Sequence, residues 1–187
     1  MNEKFIVGLV GMPGAGKSVV VNVAKENGYG VVVMGDVVRE EAERQCLNPT
    51  PKILGKIMLE LRRREGNTVV ARRCISKIKE AKEAKIIVDG IRSLSEVEEF
   101  KRHFRNFALV AIHSCPETRF RRLYRRQRSD DPKSWELFLE RDMRELSVGL
   151  ANAIALAEYI IVNEERVEDV KVKAREVLRK VERKWIK

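Results

Sequence analysis

The chain has 187 residues, enough to bury one sizeable core and too few for two ordinary domains, so a single domain over residues 1–187 is expected. It is 44% hydrophobic and 35% charged, and no apolar run approaches the roughly 18 residues of a membrane span, which excludes a transmembrane helix and leaves a soluble globular protein as the expectation. A formal charge of +10 suits an anionic partner, either a nucleic acid or a small polyphosphate held by guanidinium forks, and the abundant Lys, Arg and Glu also resemble proteins of hot environments.

Apolar runs alternate with helical patterns along the whole chain, which implies an α/β protein with a parallel sheet. Phe5 to Val10 is the first expected strand. It opens the chain directly, leaving no room for a signal or transit peptide, so the cytoplasm is the expected location. A helix follows from Gly16 or Lys17 to about Asn27, where Gly28 can stop it. The second strand is Gly30 to Met34. Asp36 is a plausible N-cap for the next helix, which continues to about Cys46. Thr50 and Pro51 open a third helix with Ile53, Leu54, Ile57, Met58 and Leu61 on one face, and Gly66 ends it. Val69, Val70, Cys74, Ile75 and Ile78 mark a fourth. A simple crossover needs one helix, so the helical stretch of about residues 36–84 is an insertion with a task of its own.

The remaining strands are Lys85 to Val88, Phe107 to His113 and Tyr159 to Val162. Four of the five strand candidates are nearly continuous apolar runs, as in strands covered on both faces. A helix from about Ser95 to Phe104 joins the third strand to the fourth. Pro116 begins a long basic helix in which six of the ten residues from Arg119 to Arg128 are arginine. It is interrupted near SDDP and resumes through Trp135, Phe138, Leu139 and Met143 towards Gly149. A short helix starts at Leu150, and Val167 to Ile186 has helical periodicity. The cysteines Cys46, Cys74 and Cys115 are far apart and odd in number, which fits neither a disulfide framework nor paired zinc ligands, and they are expected to be buried or inert.

Residues 11 to 18 read GMPGAGKS, so Gly11, Gly16, Lys17 and Ser18 satisfy G-x-x-x-x-G-K-[ST] between a strand and a helix. This is a phosphate-binding loop. Met12, Pro13, Gly14 and Ala15 complete it, and Gly14 and Gly16 let backbone N–H groups approach phosphates with no Cβ in the way. Lys17 offers a point charge to the β and γ phosphates, and the Ser18 hydroxyl can ligate Mg²⁺. Asp89, in IIVDG at the C-terminal end of the third strand, can reach the same ion. ATP and Mg²⁺ are the expected cofactors.

GMPGAGKS together with MGDVVR resembles the nucleoside monophosphate kinases, adenylate kinase above all. In that family a Gly-Asp-x-x-Arg segment opens the acceptor-binding helix, and its arginine grips the acceptor phosphate. The resemblance implies a three-layer P-loop kinase fold, a five-stranded parallel sheet with a helical acceptor-binding insertion and a short lid. It implies acceptor-binding roles for Gly35, Asp36 and Arg39. DGIR at Asp89 to Arg92 resembles the family's Asp-Gly-x-x-Arg with one residue fewer, which gives Arg92 to the acceptor as well. Arg122 to Arg126 resembles the R-x-x-x-R at the start of the lid, and Arg128-Ser-Asp130-Asp131 the R-x-D-D at its end. Arg141, two residues later than in the family, stands for the following arginine, so the lid region covers about residues 122–141. On this resemblance Lys17, Arg126, Arg128, Arg141 and Asp36 are the catalytic candidates, and Arg122 joins the nucleotide site. FIVGLVGMPGAGKS is also similar to dephospho-CoA kinase.

A phosphate acceptor needs arginines and no base, whereas a hydroxyl acceptor needs a carboxylate to take its proton, and Asp36 could be that base or only cap its helix. His103 and His113 are isolated and expected to be bland. Trp135 and Trp185 are expected to pack helices. Asn163 and the turn from Glu164 to Val167 follow the last strand, where the family's backbone borders the adenine. Two functions follow: a Mg²⁺-dependent ATP phosphotransferase acting on a small phosphorylated acceptor, or an ATP-binding switch or ATPase that uses its basic helix on RNA or a ribonucleoprotein. The absence of an RNA-recognition motif favours the first. No membrane partner is expected, and the oligomeric state is left open.

Overall fold

Strand-forming and helix-forming segments alternate almost where the apolar patterning puts them. The computed structural model describes residues 3–128 and 131–185. Asp130 of the lid motif and Ile186 at the end of the last helix lie outside the described residues. In chain order the elements are β1 (Phe5–Val10), α1 (Lys17–Glu26), β2 (Gly30–Val33), α2 (Met34–Arg44), α3 (Pro51–Glu65), α4 (Val69–Glu80), β3 (Lys85–Ile91), α5 (Leu94–His103), β4 (Asn106–His113), α6 (Pro116–Arg126), α7 (Trp135–Ser147), α8 (Leu150–Ala155), β5 (Tyr159–Val162) and α9 (Val167–Trp185). The strands form one five-stranded sheet in the order β2-β3-β1-β4-β5, and every neighbouring pair is parallel.

Successive side chains of a strand point to opposite faces, and the two faces of this sheet carry separate cores. Ile6, Val10, Ile86, Val88 and Leu109 pack with Val37 of α2, Ile57 of α3, Ile75 of α4 and Phe100 of α5. Val7, Leu9, Ile87, Val110 and Ile112 pack with Val20 and Val23 of α1 and Val170 and Leu178 of α9. The result is three layers. The edge strand β5 departs from the expectation of cover on both faces. Ile161 is buried under α9, whereas Ile160 and Val162 are 59% and 43% exposed.

Two local expectations are corrected. β3 runs on to Ile91, because Gly90, at φ +99°, forms a bulge: Leu9 pairs with Asp89 and Val10 with Ile91. Asp89 therefore lies within the strand. Met34 belongs to α2, whose N-cap is Val33 without a side-chain bond, so Asp36 sits in the first turn and is not the cap. There its charge still suits the positive end of the helix. Cys46 is exposed, at φ +55°, while Cys74 is buried and Cys115 half-buried. Trp135 and Trp185 behave as packing anchors, Trp135 against Phe120 and Phe138 and Trp185 against Phe5. No helix of the described residues is long and apolar enough to cross a membrane.

One buried carboxylate ties the helical insertion to the sheet. Ser93 caps α5 by accepting the Glu96 N–H at 3.3 Å. Glu96, with no solvent exposure, accepts the Arg92 backbone N–H at 2.8 Å and an N–H of Arg62 from α3 at 2.8 Å. Removing one partner of such a pair strands the other, so Glu96→Ala is expected to lower the unfolding free energy by about 3–5 kcal/mol in a denaturant titration, and a loss under about 1 kcal/mol would show the pair to be incidental.

Candidate active site

The phosphate loop occupies the turn from β1 to α1, at the C-terminal edge of the sheet where the order reverses around β1. Gly16 adopts φ +91° and caps α1 without a side chain, and a Cβ there would collide with the Asn163 amide. Gly14 adopts φ +82°, and a Cβ would stand 2.7 Å from the backbone oxygen of Arg119. Glycine is thus required twice, for conformation and for room.

A loop that turns its N–H groups to a ligand leaves carbonyls facing the protein, and these find donors from distant parts of the chain. Gly11 O accepts from Lys17 Nζ at 2.7 Å, Pro13 O from Arg119 Nη1 at 3.2 Å, and Ala15 O from Asn163 Nδ2 at 2.8 Å and Ser114 Oγ at 3.3 Å. Arg122 extends this support. Its Nη1 donates to Ser114 Oγ at 2.8 Å and its Nη2 to the backbone oxygen and Oδ1 of Asn163 at 2.9 and 3.1 Å. Glu164 closes the same corner by accepting from the Cys115 N–H and from the Thr118 hydroxyl.

A cleft of about 510 Å³ opens in front of the loop. Of the residues expected at the site it brings together Gly11, Pro13, Gly14, Lys17, Gly35, Arg39, Asp89, Arg92, Arg126, Arg128 and Arg141. Met12, Ala15, Gly16, Ser18, Asp36 and Arg122 do not line it. Met12 packs on the core, Ala15 is buried, and Ser18 is exposed on the first turn of α1. Asp36 is half exposed and accepts a hydrogen bond from Arg39 Nη1 at 2.5 Å.

Burial lowers the pKa of Lys17 against the opposing charges of Asp89 and Glu145, with Arg92 and Arg141 pushing in the same direction as burial. Burial likewise raises the Asp89 carboxyl, opposed by Lys17 and Arg92 and reinforced by Asp36. Asp89 Oδ1 is a buried oxygen with no hydrogen-bond partner among the described residues. A hard cation suits such an unpartnered carboxylate oxygen, whereas the Ser18 hydroxyl lies outside the lining of the cleft.

Three groups of arginines meet in the cleft. Arg39 comes from α2. Arg92, from the end of β3, donates Nη1 to Met58 Sδ of α3 at 3.1 Å, and its Nε lies 3.4 Å from Glu145 Oε2 of α7. On the lid side Asp131 gathers the cations. Arg126 donates Nε and Nη2 to its two oxygens at 2.9 and 2.6 Å, the Arg128 N–H reaches it at 2.9 Å, and Arg141 Nη1 stands 3.8 Å away. Burial alone would raise the Asp131 carboxyl, but the bonds from Arg126 and Arg128 and the nearby charges hold it below the usual carboxylate range.

Sequence reading missed Glu140, Arg144 and Glu145, which α7 adds to the cleft wall. Their spacing from Arg141 places several on one helical face, but nothing in the spacing says which way that face points. It also missed Ser114 and the pair Arg119–Asp142, which lie behind the loop.

A family described as AAA domain matches residues 10–138 of this chain. A UPF0200 protein of Hyperthermus butylicus is 46% identical over 176 residues, covering 94% of each chain. The chain belongs to the UPF0200 family. Among solved structures, shikimate kinase from Acinetobacter baumannii in complex with shikimate is similar, with a TM-score of 0.65 and 16% identity, covering all of this chain and 97% of that one. A gluconokinase from Sinorhizobium meliloti has a TM-score of 0.59 and 14% identity over 99% of this chain and 97% of its own. These likenesses show that this UPF0200 chain has the fold of the P-loop kinases, as the resemblance to the nucleoside monophosphate kinases implies.

Lys17→Ala removes the one ammonium at the loop while leaving its glycines. Calorimetry is expected to show loss of ATP binding, and an unchanged affinity would remove the loop from the site.

Proposed function

We propose that the protein is a phosphotransferase that moves the γ-phosphate of Mg·ATP to a small acceptor carrying a phosphate, and that α2, α3 and α4 form the acceptor side. The observation that carries this reading is the convergence of two cationic sets on one cleft. Lys17 stands at the nucleotide loop, and Arg39 and Arg92 arrive from the acceptor side. Phosphoryl transfer asks a protein mainly to position two anionic groups and to neutralise the oxygens that pass between them, which is what converging guanidiniums do. In this reading Ser18 and Asp89 would hold Mg²⁺, which would supply positive charge to the phosphates of the nucleotide. Arg126, Arg128 and Arg141 meet the transferred group, and the Asn163 turn borders the base.

The acceptor half is not uniformly basic. Glu145 stands against Arg92, and Asp36 against Arg39. Glu145, the one of the two that lines the cleft, favours an acceptor with a hydroxyl as well as an anion, in the manner of dephospho-CoA, because a carboxylate in the site is useful where a proton is taken or a hydroxyl is held. The shikimate kinase and the gluconokinase are, by name, small-molecule kinases. A nucleoside monophosphate acceptor would use the arginines alone. A second reading, ATP-driven work on RNA, draws on the outer face of α6, where Arg121, Tyr124 and Arg125 are exposed.

ADP release from Mg·ATP, measured alone and with AMP, CMP, UMP, GMP, dephospho-CoA and bulk RNA in turn, separates these readings. Stimulation by one small acceptor that gains a phosphate by mass is the expected outcome. Stimulation by RNA alone, falling steeply as salt rises, would transfer the lead to the second reading. With the acceptor in hand, Arg126→Ala is expected to lower kcat by about 10²-fold with a much smaller change in ATP affinity, as for loss of one transition-state donor, and a normal kcat would remove Arg126 from the chemistry.

A further inference from the structure

Arg119 and Asp142 are nearly buried, at 4% and 7% exposure, and neither lines the cleft. Arg119 donates Nη1 and Nη2 to Asp142 Oδ1 and Oδ2 at 2.8 and 2.5 Å, Nε to Ser114 O at 3.1 Å, and Nη1 also to Pro13 O at 3.2 Å. Its guanidinium lies over the Phe138 ring, 4.9 Å from the centroid. The side chain has little donor capacity left for a ligand.

As plain adhesive between α6 and α7 this pair is a poor choice. Two charges taken out of water cost several kcal/mol each by order of magnitude, and apolar side chains of similar volume often hold helices as well or better. An apolar pair could not satisfy the carbonyls of Pro13 and Ser114. Both carbonyls belong to segments that shape the nucleotide side: Pro13 lies in the phosphate loop, and Ser114 binds the Ala15 carbonyl. The backbone of Arg119 contributes too, since its oxygen fills the space a Cβ on Gly14 would need. Asp142 sets the rotation of α7. Arg141 and Glu145, four residues apart, share a face about a quarter-turn from Asp142, so fixing Asp142 behind the loop directs those two side chains into the cleft.

We infer that Arg119 and Asp142 form a positioning pair that holds the phosphate loop in its anion-receiving shape and registers α7 against it. The inference rests on the nucleotide reading of the cleft. It assigns Arg119 no contact with ATP and gives it its effect through Pro13 and Ser114.

The test compares Mg·ATP affinity by calorimetry with thermal melting for the wild type, the apolar double variant R119M/D142L and the conservative variant R119K. All titrations are run well below the melting temperatures. The double variant fills the space with apolar side chains and removes both buried charges, a gain set against the two carbonyls that lose their donor, so its melting temperature is expected to stay near that of the wild type. Its Kd for Mg·ATP is expected to rise by about tenfold, as for loss of two buried carbonyl bonds. R119K keeps the charge on Asp142 but cannot reproduce the fork, and an intermediate loss of affinity is expected. A folded double variant that binds Mg·ATP within twofold of the wild type would overturn the positioning role and leave the nucleotide reading intact. Should the double variant not fold, R119K decides: weakened binding supports the pair, and unchanged binding overturns it. A wild type that binds no Mg·ATP would remove the nucleotide reading and this inference with it.

Discussion

The carbonyls of the phosphate loop are the constraint on which the site depends. Backbone N–H groups can be offered to an anion only if the loop winds so that its carbonyl oxygens face the protein, and a buried carbonyl without a donor costs about as much as a lost hydrogen bond. The chain meets that demand with four side chains from three places: Lys17 of α1, Ser114 and Arg119 around the start of α6, and Asn163 after β5. The loop, the β4–α6 turn and the end of β5 consequently behave as one hydrogen-bonded unit. Arg122, drawn into the same unit through Ser114 and Asn163, reinforces its rear.

A second constraint acts in front of the loop. A cleft that gathers Lys17 and six arginines would repel itself without counter-charges. Asp131 answers on the lid side, Glu145 at Arg92, Asp36 at Arg39 and Asp89 near Lys17. The pairing holds Arg39, Arg92 and Arg126 in fixed positions at the cleft. An anionic oxygen entering the cleft would take the place of a carboxylate partner, which costs less reorganisation than ordering free side chains.

The legible part of this molecule was what depends on local rules. Strand and helix order followed from apolar period, the phosphate loop from glycine spacing between a strand and a helix, and the cap of α3 from Thr50 and Pro51. Its Thr50 hydroxyl does accept the Ile53 N–H. Misreadings arose where a local rule had a rival. Asp36 has the chemistry of an N-cap, but Val33 takes that place because β2 runs straight into α2. IIVDG seemed to end at the acid, but the Gly90 bulge carries β3 on to Ile91, since pairing with Val10 is available only once β1 lies alongside.

Apolar period and glycine spacing were written in the chain, and they specified a parallel α/β fold with a glycine-rich loop between its first strand and first helix, because backbone conformation and apolar period are properties of neighbouring residues. Which charges face the loop was decided by the tertiary structure. The resemblance singles out Arg122 and Arg126 on α6 and passes over Arg119, yet Arg119 and Arg122 turn behind the loop while Arg126 enters the cleft, as α7 and the turn after β5 offer the first two Asp142 and Asn163. A guanidinium goes where its carboxylate and carbonyl partners are, and those partners come from residues tens of positions away that only the folded sheet assembles.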